Sequence, residues 1–261
     1  MSSLRSLRLL LLALIALFAA APAAALSSAS ATMVLTMTYQ GAFFTDSMLG
    51  ADNGTDYEVG FFFNNVDSLP QVNTGIGSAS ITGDITINGS PHGDLDEAYL
   101  QDGDVIVWTI DGAVTADGEG SSYSAFYQNE SELFAEWLDF EEDPLALTYV
   151  FDWAVTFDTV LNDDALVGQA IAITDGTAQG TQESGSFVLY EDYFDFGFGD
   201  FADGIPSAPS DSASGQVSFF TEDFEYSVDI DLENSLFINA TVDTVVPEPG
   251  TFLLLGAGLT G

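Results

Sequence analysis

Apolar and polar residues alternate with a period of two over most of this chain. Within 80–88, Ile81, Ile85 and Ile87 share one side, and Ser80, Thr82, Asp84, Thr86 and Asn88 share the other. Within 150–158, Phe151, Trp153, Val155 and Phe157 alternate with Asp152, Thr156 and Asp158. Val228, Ile230 and Leu232 alternate with Asp229, Asp231 and Glu233, and Leu236, Ile238, Ala240 and Val242 continue as a last strand. Successive side chains of a strand point to opposite faces, so each run predicts a strand with one apolar and one polar face. The same reading predicts strands over 33–40, 57–64, 105–110, 166–173, 186–190 and 216–221. One buried and one solvated face per strand is the signature of antiparallel sheets.

Turn signals punctuate the runs: Asp52-Asn53-Gly54, Asn88-Gly89, Asp102-Gly103, Asp111-Gly112, Asp117-Gly118 and Asp175-Gly176. One segment departs from the period. Asn129-Glu130-Ser131-Glu132 resembles a capping box, and Leu133, Phe134, Trp137 and Leu138 follow at helical spacing before Pro144. This predicts a short helix over 131–140. The stretch 191–204, with acids, aromatics and glycines, and the Ser-, Pro- and Ala-rich 205–214 predict a long loop. No fixed-period repeat is present, which argues against solenoids and propellers. The expected fold is an all-β antiparallel sandwich, jelly-roll-like, with one short helix.

Charge then narrows the function classes. The chain has 261 residues with 41 Asp and Glu, 2 Lys and Arg, one His and no Cys, for a formal net charge of −39. Both basic residues, Arg5 and Arg8, sit near the N-terminus, and every acid except Glu248 lies between Thr32 and Val246. Phosphate backbones repel such a chain, so nucleic acid is excluded as a partner. The absence of Cys removes disulfides, thiolate metal sites and Cys nucleophiles. Without any Lys there is no Schiff-base chemistry, and His92, between Pro91 and Gly93, reads as a turn residue. A content of 47% hydrophobic residues, with 21 Phe, argues for a packed core and against a disordered acidic tail.

The ends read as addresses. Arg5 and Arg8, the uncharged run from Leu9 to Ala25 and the small residues after it have the order of a secretory signal peptide. Two cleavage points fit, after Ala25 (Ala23-Ala24-Ala25) or after Ala31 (Ala29-Ser30-Ala31). The division expected is a signal peptide over 1–31, an acidic sandwich over 32–246 and a sorting tail over 247–261. That tail reads Val246-Pro247-Glu248-Pro249-Gly250-Thr251, then Phe252-Leu253-Leu254-Leu255-Gly256-Ala257-Gly258. Behind a signal peptide, this pattern resembles the PEP-CTERM family of exported bacterial proteins. The resemblance covers the last 16 residues or so. It implies export, transient membrane anchoring, recognition by exosortase-type sorting machinery, and a sorting role for Pro247, Glu248 and Pro249. The family's final Arg cluster is missing. Residues 251–261 would rise only about 16 Å as a helix, half of a ~30 Å hydrocarbon core, so the natural chain is expected to continue past Gly261.

Candidate chemistry between the addresses is sparse. Asp94, Asp96, Asp102 and Asp104 are candidate Ca²⁺ ligands, because a loop rich in carboxylates can supply the oxygens that ion takes. The EF-hand loop spacing and the nonapeptides of calcium-loaded β-rolls are both absent. Asp139, Glu141, Glu142 and Asp143 form a second acidic group, expected as the end of the helix. Paired acids could serve glycoside hydrolysis, but among 41 acids some pair falls at any separation. Tyr193, Phe194, Phe196, Phe198 and Phe201 are the aromatic candidates for stacking on sugars. The expectation is a non-enzymatic protein of the cell surface, outer envelope or extracellular matrix, in contact with exopolysaccharide or with polyanions bridged by divalent ions. A secreted carbohydrate-binding module is the alternative.

Overall fold

A computed structural model describes residues 26–45, 49–54, 56–70, 73–93, 97–138, 145–163, 170–182, 185–197, 210–221 and 227–242. Among them are eleven strands and no helix. They are β1 (Leu26–Phe44), β2 (Tyr57–Pro70), β3 (Thr74–Ile87), β4 (Ser90–Pro91), β5 (Glu97–Leu100) and β6 (Val105–Trp137). β7 (Leu147–Asp163), β8 (Ala170–Gln182), β9 (Gly185–Gly197), β10 (Ser210–Phe220) and β11 (Ser227–Val242) complete the set. All strand pairings are antiparallel.

The fold turns on β6, a strand of 33 residues. Its first half, up to Asp117, pairs with β1 on one edge and β3 on the other. Its second half, from Ser121, pairs with β11 and β2. Gly118 and Gly120 separate the halves with φ of 80° and 75°, values that only glycine adopts without strain. The corner divides a continuous ladder into two layers. The first runs β10–β7–β1–β6–β3–β4, and the second β5–β2–β6–β11–β8–β9. The layers face each other across one core, so the antiparallel β-sandwich is as expected. The chain winds from layer to layer, since β1, β3, β7 and β10 lie in the first and β2, β5, β8, β9 and β11 in the second.

Alternation in the sequence becomes the core. Ala29, Ala31, Met33, Leu35, Met37 and Tyr39 of β1 are buried, as are Ile106, Trp108, Ile110, Val114 and Ala116 of β6. Trp108 reaches across the layers, edge-on to Phe61 at 5.6 Å, and its Nε1 donates to Ser131 Oγ at 3.2 Å. The two halves of one strand are thus tied through the core. At one end the Tyr39 and Tyr57 hydroxyls bond at 2.8 Å, with Tyr149 edge-on to Tyr57 at 5.5 Å. Burial pushes all three phenols above their ordinary range. They hold no charge at physiological pH and act as packed hydrogen-bonding groups.

Several expectations need correction. The predicted helix over 131–140 is strand as far as Trp137, while 139–140 and the acids from Asp139 to Asp143 lie outside the described residues. The buried positions there are Tyr127, Asn129, Ser131, Leu133, Ala135 and Trp137, a period of two that polar Asn129 and Ser131 conceal. Both edges of this stretch are claimed by β2 and β11, and that pairing overrides a local capping pattern. β11 runs unbroken through 233–236. Asn234 fills an inward position of β11 and donates to Asn129 Oδ1 at 3.2 Å, so two buried amides satisfy one another.

Turn dipeptides divide in the same way. Asn88-Gly89 closes the β3–β4 hairpin with φ of 52° and 74°, as a type I′ turn requires. Asp111-Gly112 and Asp175-Gly176 instead lie inside β6 and β8. Gly112 faces inward, where Ile238 of the second layer and Ile81 crowd the space a Cβ would take. Of the expected loop over 191–214, residues 191–197 belong to β9 and 210–214 to β10, and the remainder lies outside the described residues.

The strand register makes a prediction that the helical pattern opposes. Ala135 is buried between β2 and β11, so Ala135→Asp should prevent folding by burying an unpaired charge. Glu136→Ala, on the exposed face, should change stability by no more than about 0.5 kcal/mol. Urea unfolding of both variants checks the alternation.

Candidate functional site

Of the four candidate calcium ligands, Asp94 and Asp96 lie outside the described residues. Asp102 and Asp104 sit in the tight turn between β5 and β6. Asp104 Oδ2 accepts from the Gln101 backbone N–H at 2.7 Å, and its Oδ1 accepts from Asn88 Nδ2 at 2.7 Å. Asn88 Oδ1 in turn accepts from the Val105 N–H at 3.0 Å. Asp104 Oδ2 therefore closes its own turn, and Oδ1 ties that turn to the β3–β4 hairpin. Asp102 lies against the Cα of Gly41, close to the tyrosine end of the core, and its charge adds to the upward push on Tyr39 and Tyr57. Among the described residues no group of three or more His, Asp or Glu is arranged to hold a metal ion. His92 packs its ring 5.3 Å from Phe61 beside β4, in keeping with a turn residue.

The sorting residues Pro247, Glu248 and Pro249 lie outside the described residues, as does the leader up to Ala25. Among the described residues no helix is long and apolar enough to cross a membrane. The aromatic candidates Tyr193, Phe194 and Phe196 fall within β9, while Phe198 and Phe201 lie outside the described residues.

The outer face of the second layer brings together residues that sequence reasoning did not single out. Tyr99 of β5, Gly60 of β2, Phe134 of β6 and Asp229 of β11 form one row across four strands. Phe134 lies over Gly60, where any Cβ would collide with its ring, and meets Tyr99 edge-on at 6.2 Å. Tyr99 is 54% exposed. The neighbouring rows supply carboxylates: Glu58 opposite Glu136, Glu132 opposite Asp231, and Glu130 opposite Glu233. No basic side chain lies among them. The Glu97 carboxylate beside the Tyr99 hydroxyl raises that phenol, and Glu58 and Glu136 add to the effect. An aromatic strip rimmed by acceptors can stack on an apolar ring face and accept hydrogen bonds from hydroxyl or ammonium groups. Three strands distant in sequence build it, so no local pattern announces it.

The outer face of the first layer carries a shallow groove of about 360 Å³, lined by Ser30, Thr32, Ser80, Thr82, Asp111 and Asp158 among others. Thr32 Oγ1 donates to Asp111 Oδ1 at 2.6 Å. The lining offers hydroxyls and carboxylates. Among the residues whose burial is described no Asp or Glu is buried, and burial or a close like charge is what keeps a carboxyl protonated.

Glu132 comes nearest to that condition. Partial burial, then Asp229 and Asp231 across the strand, hold its carboxyl above the ordinary range. A folded state that binds this proton more tightly than the unfolded chain is favoured at low pH, and the advantage is lost as pH rises through the raised value. Glu132→Gln should therefore stabilise the protein at pH 7 by roughly 0.2–1 kcal/mol, the scale of a cross-strand pair. The gain should vanish below the ordinary carboxylate range. Thermal melts of both proteins between pH 3 and 8 check sign and window.

Comparison with known proteins yields little. No protein-family model matches this chain, and no curated protein matches it. A solved structure described as a putative β-galactosidase from Bacteroides fragilis aligns over 74% of this chain and 31% of its own, at 9% identity and a TM-score of 0.18. This chain thus spans less than a third of that structure, and at that TM-score the likeness carries no argument about fold or activity.

Proposed function

We propose that this protein is exported and acts at the cell surface or in the extracellular matrix by contact rather than by catalysis. The observation that carries this reading is the character of the sandwich's two outer faces, one of acids and aromatics, the other of hydroxyls and acids. Hydroxyls, carboxylates and an exposed aromatic strip are groups suited to contact with other polymers. The leader pattern supports export, and the resemblance at Pro247, Glu248 and Pro249 supports handling by exosortase-type sorting machinery. Deleting residues 247–261 should move the protein from membrane or surface to medium and leave the fold intact, because the last described strand ends at Val242. Fractionation of both forms, with circular dichroism, reads the two outcomes. Unchanged distribution would show the tail to be inert here.

Contact partners that suit the charge are neutral polysaccharide, or polyanions bridged through divalent ions. The exposed Tyr99–Phe134 strip favours a second reading, a carbohydrate-binding module. If that strip binds sugars, Tyr99→Ala should weaken retention on immobilised polysaccharide severalfold at unchanged melting temperature. Equal retention would remove this reading.

The electrostatics make one further demand. Between Thr32 and Val246 there is no Lys or Arg, so repulsion among the acids of this segment is unrelieved by basic side chains other than His92. Salt screens such charges over a Debye length of ~10 Å at 0.1 M, so NaCl should raise the melting temperature. CaCl₂ at equal ionic strength should raise it more if carboxylates around Asp102 and Asp104 bind the ion in the native state. Equal shifts would leave screening alone.

A further inference from the structure

We propose that the leader is removed after Ala25 and not after Ala31, because residues 26–31 form the paired end of β1, an interior strand of the first layer. The proposal rests on the export reading and concerns which of two sequence-compatible sites produces the mature chain. Leu26 to Ala31 pair with Asp117 to Gly112 of β6, and Ser27 to Ala31 pair with Asp163 to Thr159 of β7. The segment is bonded on both edges. Ser27, Ala29 and Ala31 point into the core and are at most 4% exposed.

A cut after Ala31 would leave specific groups without partners. Among the described residues β10 pairs with β7 only as far as Asp158, so β7 from Thr159 to Asp163 would have no described strand on either side. Thr159 and Leu161, both buried, would open to water, as would the inner faces of Val114 and Ala116 on β6. Unpaired backbone and newly exposed apolar surface at an inner strand make an aggregation-prone edge. A cut after Ala25 leaves the whole of β1 in place.

It also introduces the charge that the body lacks. Hydrolysis of the Ala25–Leu26 peptide bond, with one water, gives a carboxylate on the leader and an α-ammonium on Leu26. The register sets Leu26 opposite Asp117 and Ser27 opposite Asp163, so the new cation would arise between two acid-bearing positions. A chain beginning at Thr32 would likewise set its ammonium opposite two acid-bearing positions, Asp111 and Asp158, so it is the strand pairing of 26–31, not the charge, that separates the two sites.

The full chain with its own leader, produced in a bacterium with a general secretion pathway, supplies the test. Intact mass and N-terminal sequencing of the exported protein should give Leu26 as the first residue. Any other start in exported protein overturns the assignment, and a start at Thr32 would do so while export stands. Protein retained in the cytoplasm with Met1 in place would overturn the export reading as well. Leaderless chains starting at Leu26 and at Thr32, each behind an initiator Met, isolate the structural argument. The Thr32 form should be insoluble or melt lower by roughly 10 °C or more. Equal melting temperatures would overturn the claim that 26–31 are needed.

Discussion

The corner at Gly118 and Gly120 is the constraint on which the sandwich depends. A strand of 33 residues kept straight would span far more than one domain, and four partner strands could not share it within one core. Two positive-φ glycines fold it so that its halves lie in facing layers, each half binding a strand on both edges. The Trp108–Ser131 hydrogen bond and the Phe61–Trp108 contact then lock the halves across the interior. Every other strand except β4, β5 and β7 to β10 bonds β6 directly, and those six reach it through neighbours.

The second constraint is electrostatic. A chain with acids only cannot neutralise its outer faces by side-chain pairing, so directly opposed carboxylates such as Glu130 and Glu233 remain in the ladder. The core must outweigh that repulsion, and it is built accordingly from large aromatics with satisfied polar tips. Tyr39 with Tyr57, Trp108 with Ser131, and Asn129 with Asn234 each place a buried polar group against a partner. Such a body suits an environment where salt and divalent ions are abundant, which agrees with the proposed location outside the cytoplasm.

The same acids shape the contact surface. The Tyr99–Phe134 strip lies over a glycine and within a rim of carboxylates, so anionic polymers are disfavoured there unless a divalent ion intervenes. The groove on the opposite face differs in character, with hydroxyls from β1 and β3 and no aromatic ring among its lining residues. One scaffold thereby presents two chemically distinct faces.

The strand class, its antiparallel character and most core positions were legible in the sequence, because a period of two survives wherever one face is buried and the other wet. β1, β7 and β11 show this plainly through Met33, Phe157 and Ile230. Tertiary structure decided what local pattern could not. Asn129 and Ser131 are polar, so only a partner across the layer or on the next strand makes their burial tolerable, and without those partners their stretch reads as helix. Asp111-Gly112 looks like a turn until Ile238, far along the chain, is seen to need the space above Gly112. Tyr99, Gly60 and Phe134 become one surface only when β5, β2 and β6 align. Residues 26–31 could be leader or body on composition alone, and it is only the tertiary structure that pairs them with β6 and β7 on both edges as the start of β1.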